Sequence, residues 1–311
     1  MTLDSLLLRS FLTVYELGSV GRAAQQIGVS QPALSKTIRR LEDRLQAALF
    51  ERTPTGMVPT VVGETLARHA RLIEAELRHA ENEVASLRGG MAGHINVGTS
   101  PAVAAALMAI VSTDLWQARP GLRVTVTEDL PEALIDATRE GKLDCAVCTE
   151  TPLHGDPELV TVPLYRDRLA AFAGAHHPLV TKGRQVSMKA LMDYPWALSP
   201  YTGVVRQWFD SRFTAAGLTP PLPQVNTTCI PHFKGLLLGN HFMAFMPLSA
   251  VEEEVAAGTI VHVRRPDFEL VRTVAAVHRS RGRVSAAALA VIETIRQAAL
   301  RHGALPLAGP A

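Results

Sequence analysis

Between Leu66 and Leu87, apolar side chains recur at Leu66, Ala70, Ile73, Leu77, Ala80, Val84 and Leu87, in alternating steps of four and three. On an α-helix such steps trace one stripe that supercoils against a like stripe on another helix. A single amphipathic helix packed on its own domain also shows apolar periodicity. A seam kept over about three heptads favours a helix–helix dimer contact. The small Ala70 and Ala80 suit close approach, and Gly89-Gly90 with Gly93 after them read as a hinge. A long helix placed here splits the 311 residues into a short N-terminal piece and a long C-terminal one. That length suits two or three compact units.

The N-terminal piece is rich in punctuation. A helical run from Leu3 to Leu17 stops at Gly18, a residue suited to closing a helix in the left-handed conformation. Ser19 is an N-cap for a short helix from Val20 to Ile27. Gly28-Val29-Ser30 forms a turn, Ser30 caps a third helix, and Pro32 lies in that helix's first turn, where its missing N–H costs nothing. Two helices joined by a short glycine-bearing turn are a helix-turn-helix, and Ala23-Ala24 let the pair cross closely. At ~100° per residue, Leu34, Ile38, Leu41 and Leu45 fall on one stripe, while Gln31, Pro32, Ser35, Lys36 and Arg39 fall on another arc. Gln pairs with adenine edges, Ser with several groups, and Lys or Arg with guanine or phosphate. Lys36, Arg39 and Arg40 stand in a stretch without acidic residues, but a solvated helix face gives the same small basic patch. Phe50-Glu51-Arg52 and Val58-Pro59-Thr60 flank the turn-forming Thr53-Pro54-Thr55-Gly56. They predict a two-stranded wing, with Arg52 set for a phosphate or the minor groove.

From Gly93 onward strands and helices alternate. Strands are predicted at His94–Gly98, Arg123–Glu128, Asp144–Thr149, Arg168–Gly174, Trp196–Ser199, near Val225–Thr228, at Phe242–Met246 and at Arg272–His278. Helices are predicted at Pro101–Ala118, Pro131–Glu140, Gly203–Ala216, near Pro231–Leu238 and at Val284–Arg301. Strand, helix, strand with short connections predicts parallel α/β structure. The tail from Gly303 is expected to fray.

Composition narrows the class further. The hydrophobic share of 47% with 19% charged residues is ordinary for a soluble globular chain. Three cysteines cannot form a disulfide framework in a chain this long. The opening MTLDSLLLRSFL has no basic n-region or cleavage site, and no apolar run approaches the ~20 residues of a membrane span. The expectation is a cytoplasmic protein with no membrane partner. Cys145 and Cys148 form a C-x-x-C, but residues three apart on a strand face opposite ways, so they are read as packed small residues. His176-His177 has no partner motif to complete a metal site, and no glycine-rich phosphate loop or Ser-His-Asp order stands out. No catalytic residue, metal or cofactor is expected.

The stretch from Leu7 to Leu66 resembles the winged helix-turn-helix of LysR-type transcriptional regulators. The resemblance rests on Ala23-Ala24, Ser30-Gln31-Pro32-Ala33-Leu34-Ser35, Ile38-Arg39-Arg40-Leu41-Glu42, Leu49-Phe50-Glu51-Arg52, and Pro59-Thr60 with Gly63. It continues through the long helix and the segments GHINVG, PGLRVTV, GKLDCAV, AHHPL and GNHFMAFMP, and so covers nearly the whole chain. It implies an N-terminal DNA-binding domain at 1–60, a linker (dimerisation) helix at 61–90 and an effector-binding domain at 91–303. The last is implied to be two Rossmann-like α/β subdomains of periplasmic-binding-protein type, one at 91–165 with 266–303 and the other at 166–265. The implied partners are double-stranded DNA, a small-molecule effector in the cleft between the subdomains, and other copies of the chain, as a homodimer through the linker helix and a homotetramer. By the same resemblance Gln31, Pro32, Ser35 and Lys36 contact base edges, while Arg52 and Thr60 serve the wing and backbone.

The ligand's place is also legible from chemistry, because open α/β sheets bind ligands beyond the carboxyl ends of their strands. Three hydroxyl-bearing segments sit there, each directly before a helix: Thr99-Ser100, Pro200-Tyr201-Thr202-Gly203 and Asn226-Thr227-Thr228-Cys229. Helix N-termini suit carboxylates, and Phe233, Phe245 and Tyr201 offer an apolar wall, so the expected effector is an organic acid, with Thr99, Ser100, Tyr201, Thr202, Gly203, Thr228 and Phe245 around it. Each Ser or Thr has simple N-capping as its equal alternative. An enzyme built on the α/β portion and an architectural DNA-binding protein without an effector are the rival readings. The first lacks a nucleophile or cofactor motif, and the second leaves the large C-terminal region without a purpose.

Overall fold

The computed structural model describes residues 3–54, 56–87, 93–149, 156–181, 186–199, 204–280 and 284–307. Three helices open the chain: α1 (Ser5–Leu17), α2 (Val20–Ile27) and α3 (Gln31–Leu45). Their ends follow the punctuation. Asp4, Ser19 and Ser30 accept hydrogen bonds from the N–H groups of Leu7, Arg22 and Ala33, and Gly18 and Gly28 close α1 and α2 in the left-handed region at φ 59° and 78°. Leu34, Ile38 and Leu41 are buried against Leu8, Phe11, Leu12, Ala23 and Ala24.

The wing is the antiparallel pair β1 (Phe50–Thr53) and β2 (Gly56–Pro59), and α4 (Val61–Leu87) follows. It is fastened from both sides. The carboxylate of Glu42 accepts from the N–H of Leu49 at 2.9 Å, and the N–H of Thr60 donates to the carbonyl of Leu49 at 3.0 Å. A Cβ at position 63 would lie 2.2 Å from that same carbonyl oxygen, so only glycine lets α4 start this close to the wing.

The seam of α4 divides between two surroundings. Ala70 is fully buried in the core of the three-helix head and Leu66 packs against that core, so neither is available to a partner helix. Ile73, Leu77, Ala80 and Val84 are exposed along the same stripe. The side chain of Leu87 and the Gly89-Gly90 hinge lie outside the described residues.

The remaining chain forms β3 (Gly93–Thr99), α5 (Pro101–Ala118), β4 (Leu122–Glu128), α6 (Pro131–Arg139), β5 (Cys145–Thr149), β6 (Leu159–Gly174), α7 (Pro178–Thr181), β7 (Trp196–Leu198), α8 (Val204–Ala215), β8 (Val225–Asn226), α9 (Ile230–Leu238), β9 (Met243–Pro247), α10 (Glu252–Ala256), β10 (Ile260–His262), β11 (Leu270–Arg279) and α11 (Ala286–Arg301). The sheet runs β4-β3-β5-β11-β6-β9-β7-β8, with β10 beside β6. The expected parallel pairing holds towards both ends, where β3 joins β4 and β5 and β7 joins β8 and β9. The middle is antiparallel: β11 pairs along its whole length with Leu159–Leu169 of β6, with a bulge between Val274 and Ala275. These two strands carry the chain across the sheet in opposite directions. One end of the pair adjoins β5 and the other adjoins β9. On either side lie separate cores, one around Val97, Leu107, Val111, Val274, Val291 and Ile295, the other around Trp196, Phe209, Phe213 and Phe268.

Two expectations need correction. The strand expected at Arg168–Gly174 begins at Leu159, because Pro163 and the charged run at Arg166, Asp167 and Arg168 hide the alternation of its first half. The tail does not fray at Gly303. Arg166 and Leu305 exchange backbone hydrogen bonds at 2.8 and 3.0 Å, and the Arg166 Nε donates to the carbonyl of Pro306. Neighbouring β9 begins pairing only at Leu169, so the edge of β6 at Arg166 is open and the tail fills it.

Cys145 packs in the α5 and α11 core, while Cys148 packs with Leu134, Leu143 and Ala146 on the other face of β5, and burial pushes each thiol up to about 12. The buried His177 accepts from the N–H of Leu179 at the start of α7, a turn role rather than a ligand's.

Candidate DNA interface and effector site

Helix α3 turns Leu34, Ile38 and Leu41 inward, which leaves Gln31, Pro32, Lys36 and Arg39 exposed and Ser35 half-buried at the edge of the same face. Arg52 is exposed on the wing. Among the described residues no acidic group claims Lys36, Arg39 or Arg52, so their charge is free for phosphate. Thr60 braces the wing. Its hydroxyl donates to the carbonyl of Ala48 at 2.7 Å and accepts from the N–H of Gly63 at 3.0 Å, so it caps α4 and ties the wing down.

Ser35→Ala and Arg52→Ala are therefore expected to differ in kind. The first should change preference among DNA sequences. The second should weaken all sequences alike and flatten the salt dependence by about one counterion. Binding titrations against operator variants at several salt concentrations separate the two, and an unchanged sequence preference in Ser35→Ala would mean that the recognition face is misplaced.

A cavity of ≈ 230 Å³ opens between the two cores. Ser100, Pro101, Leu130 and Thr149 line it from one side, Leu198, Ser199, Phe209, Thr228, Phe233 and Phe245 from the other, and Leu169 and Arg272 from the crossing strands. Ser100 occupies the N-cap position of α5 yet makes no cap hydrogen bond. Its Oγ and the Oγ1 of Thr99 are buried without a hydrogen-bond partner. This separates Ser100 from the capping serines 19, 30 and 285, which all bond their own helices. Buried hydroxyls are normally paired, so two adjacent orphans, of which Ser100 lines the cavity, point to a ligand. The Ser100 N–H is not part of that site, because it donates to the carbonyl of Val147.

Of the segment Asn226 to Cys229, Thr228 lines the cavity, whereas Thr227 accepts from the N–H of Cys229 and is spent on the turn before α9. Phe245 belongs to the wall and is stacked on Trp208 at 5.5 Å. Tyr201, Thr202 and Gly203 lie outside the described residues; Ser199 before them and Val205 after them both line the cavity.

Two guanidinium groups also line the cavity, of which Arg272 was no sequence-based candidate. Arg206 is forked onto Asp210 at 2.9 and 3.0 Å. Arg272 reaches Asp167, 105 residues away in the chain. The signal for Arg272 was a charge set before the apolar run Val274–Val277 of its strand.

Comparison with known proteins agrees with this architecture. The family model for the bacterial regulatory helix-turn-helix of the LysR family matches residues 6–64, and that for the LysR substrate binding domain matches residues 88–300. The HTH-type transcriptional regulator GbpR of Azospirillum brasilense is 32% identical over 69% of this chain and 63% of its own length. Among solved structures, ArgP from Mycobacterium tuberculosis superposes with a TM-score of 0.71 at 22% identity, covering 96% of this chain and 98% of that one. Full-length CbnR in complex with its target DNA gives 0.66 at 19% identity over 95% of this chain and 100% of that one. These two show the fold. The curated relative is named as a regulator, not an enzyme. The chain belongs to the LysR family of bacterial transcriptional regulators.

Proposed function

We propose that this regulator is a cytoplasmic, sequence-specific operator-binding protein whose hold on DNA is set by a small organic acid in the cleft. In this reading Gln31, Pro32, Ser35, Lys36 and Arg39 face the bases and nearby phosphates, and Arg52 serves the backbone or minor groove. Residues 1–60 bind DNA, 61–90 join two chains into a dimer and dimers into a tetramer, and 91–303 bind the effector. The subdomains are 91–165 with 266–303, and 166–265. Support for an effector comes chiefly from the buried, unpartnered hydroxyl of Ser100 at the cavity wall, next in the chain to the equally unpartnered hydroxyl of Thr99. Support for an acid comes from the first turn of α5 beside them, whose N–H groups have no acceptors within the helix, and from Arg272. An architectural protein would have no use for an apolar cavity with orphaned polar groups in its wall.

The experiment is a thermal-shift screen of the full-length protein against anionic, neutral and cationic metabolites, followed by operator titration with each hit. Anions are expected to raise the melting temperature and to change operator affinity or footprint. A best ligand that is neutral or cationic would remove the acid from this reading and leave the DNA-binding assignment in place.

A further inference from the structure

Arg272 on β11 and Asp167 on β6 stand directly opposite each other in the crossing pair. Side chains so placed share a face of the sheet, and Leu169, two residues beyond Asp167, lines the cavity on that face, as Arg272 does. Their ion pair is loose. The Arg272 Nη2 lies 3.4 Å from the Asp167 Oδ2, where a well-made pair measures about 2.7–2.9 Å. The Arg272 Nε is buried with no hydrogen-bond partner. A guanidinium carries five donors, and this one keeps spare capacity beside an apolar cavity. Asp167 is buried and has a second partner, the hydroxyl of Ser249 at 3.2 Å, from the turn Leu248–Ala250 against which α5 packs. Burial pushes the Asp167 pKa up, and Arg272 and Ser249 counter it. Arg206 differs, because Asp210 already occupies it at ordinary distances.

We propose that Arg272 is the residue that selects an acid effector, and that it does so by giving up the carboxylate of Asp167 for the carboxylate of the ligand. The inference rests on reading the cleft as an organic-acid site and names the group within it that sets the charge. The orphaned hydroxyl of Ser100 supplies a further donor, and Phe209, Phe233 and Phe245 surround the ligand's body, which favours a flat, apolar one with a single acid group. The exchange is reversible ion pairing, with no bond made or broken. It takes place on the two strands that connect the halves of the domain. Filling the site therefore changes a tie between β6 and β11 and leaves Asp167 to Ser249, on the turn Leu248–Ala250 that packs against α5.

Calorimetric titration of the full-length protein with benzoate, phenylacetate and cinnamate, each beside its amide, tests this. Wild type is expected to bind at least one acid tenfold or more tighter than its amide. Arg272→Gln should lose at least about thirtyfold for the acid while leaving the amide nearly unchanged, and Arg272→Lys should recover part of the loss. Asp167→Asn should bind the acid several-fold tighter than wild type, because the competing carboxylate is gone. A purely structural ion pair gives the opposite sign for that variant, since both substitutions would then weaken binding together. Acid binding unchanged in Arg272→Gln, or weakened in Asp167→Asn, overturns the role of Arg272 while the organic-acid reading stands. If no acid binds wild type, the organic-acid reading falls and this inference with it.

Discussion

Glutamate at both Ile73 and Leu77 is expected to leave each chain folded and to abolish tight operator binding. The two side chains are 42% and 44% exposed in the single chain, so the new carboxylates can reach water there. Val84 and Ala80 continue the same exposed stripe, while Leu66 and Ala70 at its start are held by the head. Four exposed positions in heptad register on one helix have a second copy of that helix as their natural cover. Burying the new carboxylates in that seam costs roughly 3 kcal/mol or more, on the order of a hundredfold in the association constant. Two heads bound to adjacent half-sites gain affinity from being joined, and separated heads lose that gain. Sedimentation should show the smaller species, circular dichroism should show unchanged helix content, and operator titration should shift to much higher protein concentration. Unchanged sedimentation in the double variant would remove the seam as an interface.

What the sequence disclosed was local. Gly18, Ser19, Gly28 and Ser30 mark helix ends because capping involves residues within one turn, and those boundaries fall where the residues place them. Periodicity located α4 but could not apportion its stripe: an apolar residue at Ala70 has the same spacing whether its own head or a partner covers it. The hydroxyls present the same ambiguity. Thr60 and Ser100 both stand just before a helix, yet Thr60 is spent on its cap and Ser100 is not, and that difference depends on what surrounds them in space. Arg272 could not be tied to Asp167 from spacing, because their pairing follows from β6 and β11 running side by side across the whole domain. The tail was beyond reach for a related reason, since the edge it fills exists only once β9 is seen to pair no further than Leu169.

The largest single-residue loss is expected at Asp144, where the linker helix meets the effector domain. Its carboxylate is buried and accepts three hydrogen bonds: from Arg78 Nη2 at 2.9 Å and His79 Nε2 at 2.8 Å, both on α4, and from the backbone N–H of Asn96 at 2.8 Å on β3. Close by, the Arg71 guanidinium lies over the ring of Tyr15 in the head and reaches Glu140 at 3.3 Å, so α4 grips both domains within two turns. Burial alone would raise the Asp144 pKa, but the bonds from His79, Asn96 and Arg78 together with the charge of Arg78 outweigh it and bring it to about 2. Alanine here strips the partner from a half-buried arginine, a histidine and a backbone N–H at once, at a cost of about 3–5 kcal/mol. Asparagine keeps the shape and one acceptor and should cost less. The pH dependence follows from a folded pKa below the unfolded value of about 3.9. The stabilisation is complete above that value and is lost as pH falls from about 4 to about 2, an effect on the order of 2 kcal/mol. Denaturant unfolding of wild type and Asp144→Asn between pH 7 and pH 2 measures it. Wild type should lose stability in that window and the variant should lose less of it. If the two curves run parallel down to pH 2, Asp144 does not hold the linker helix by its charge.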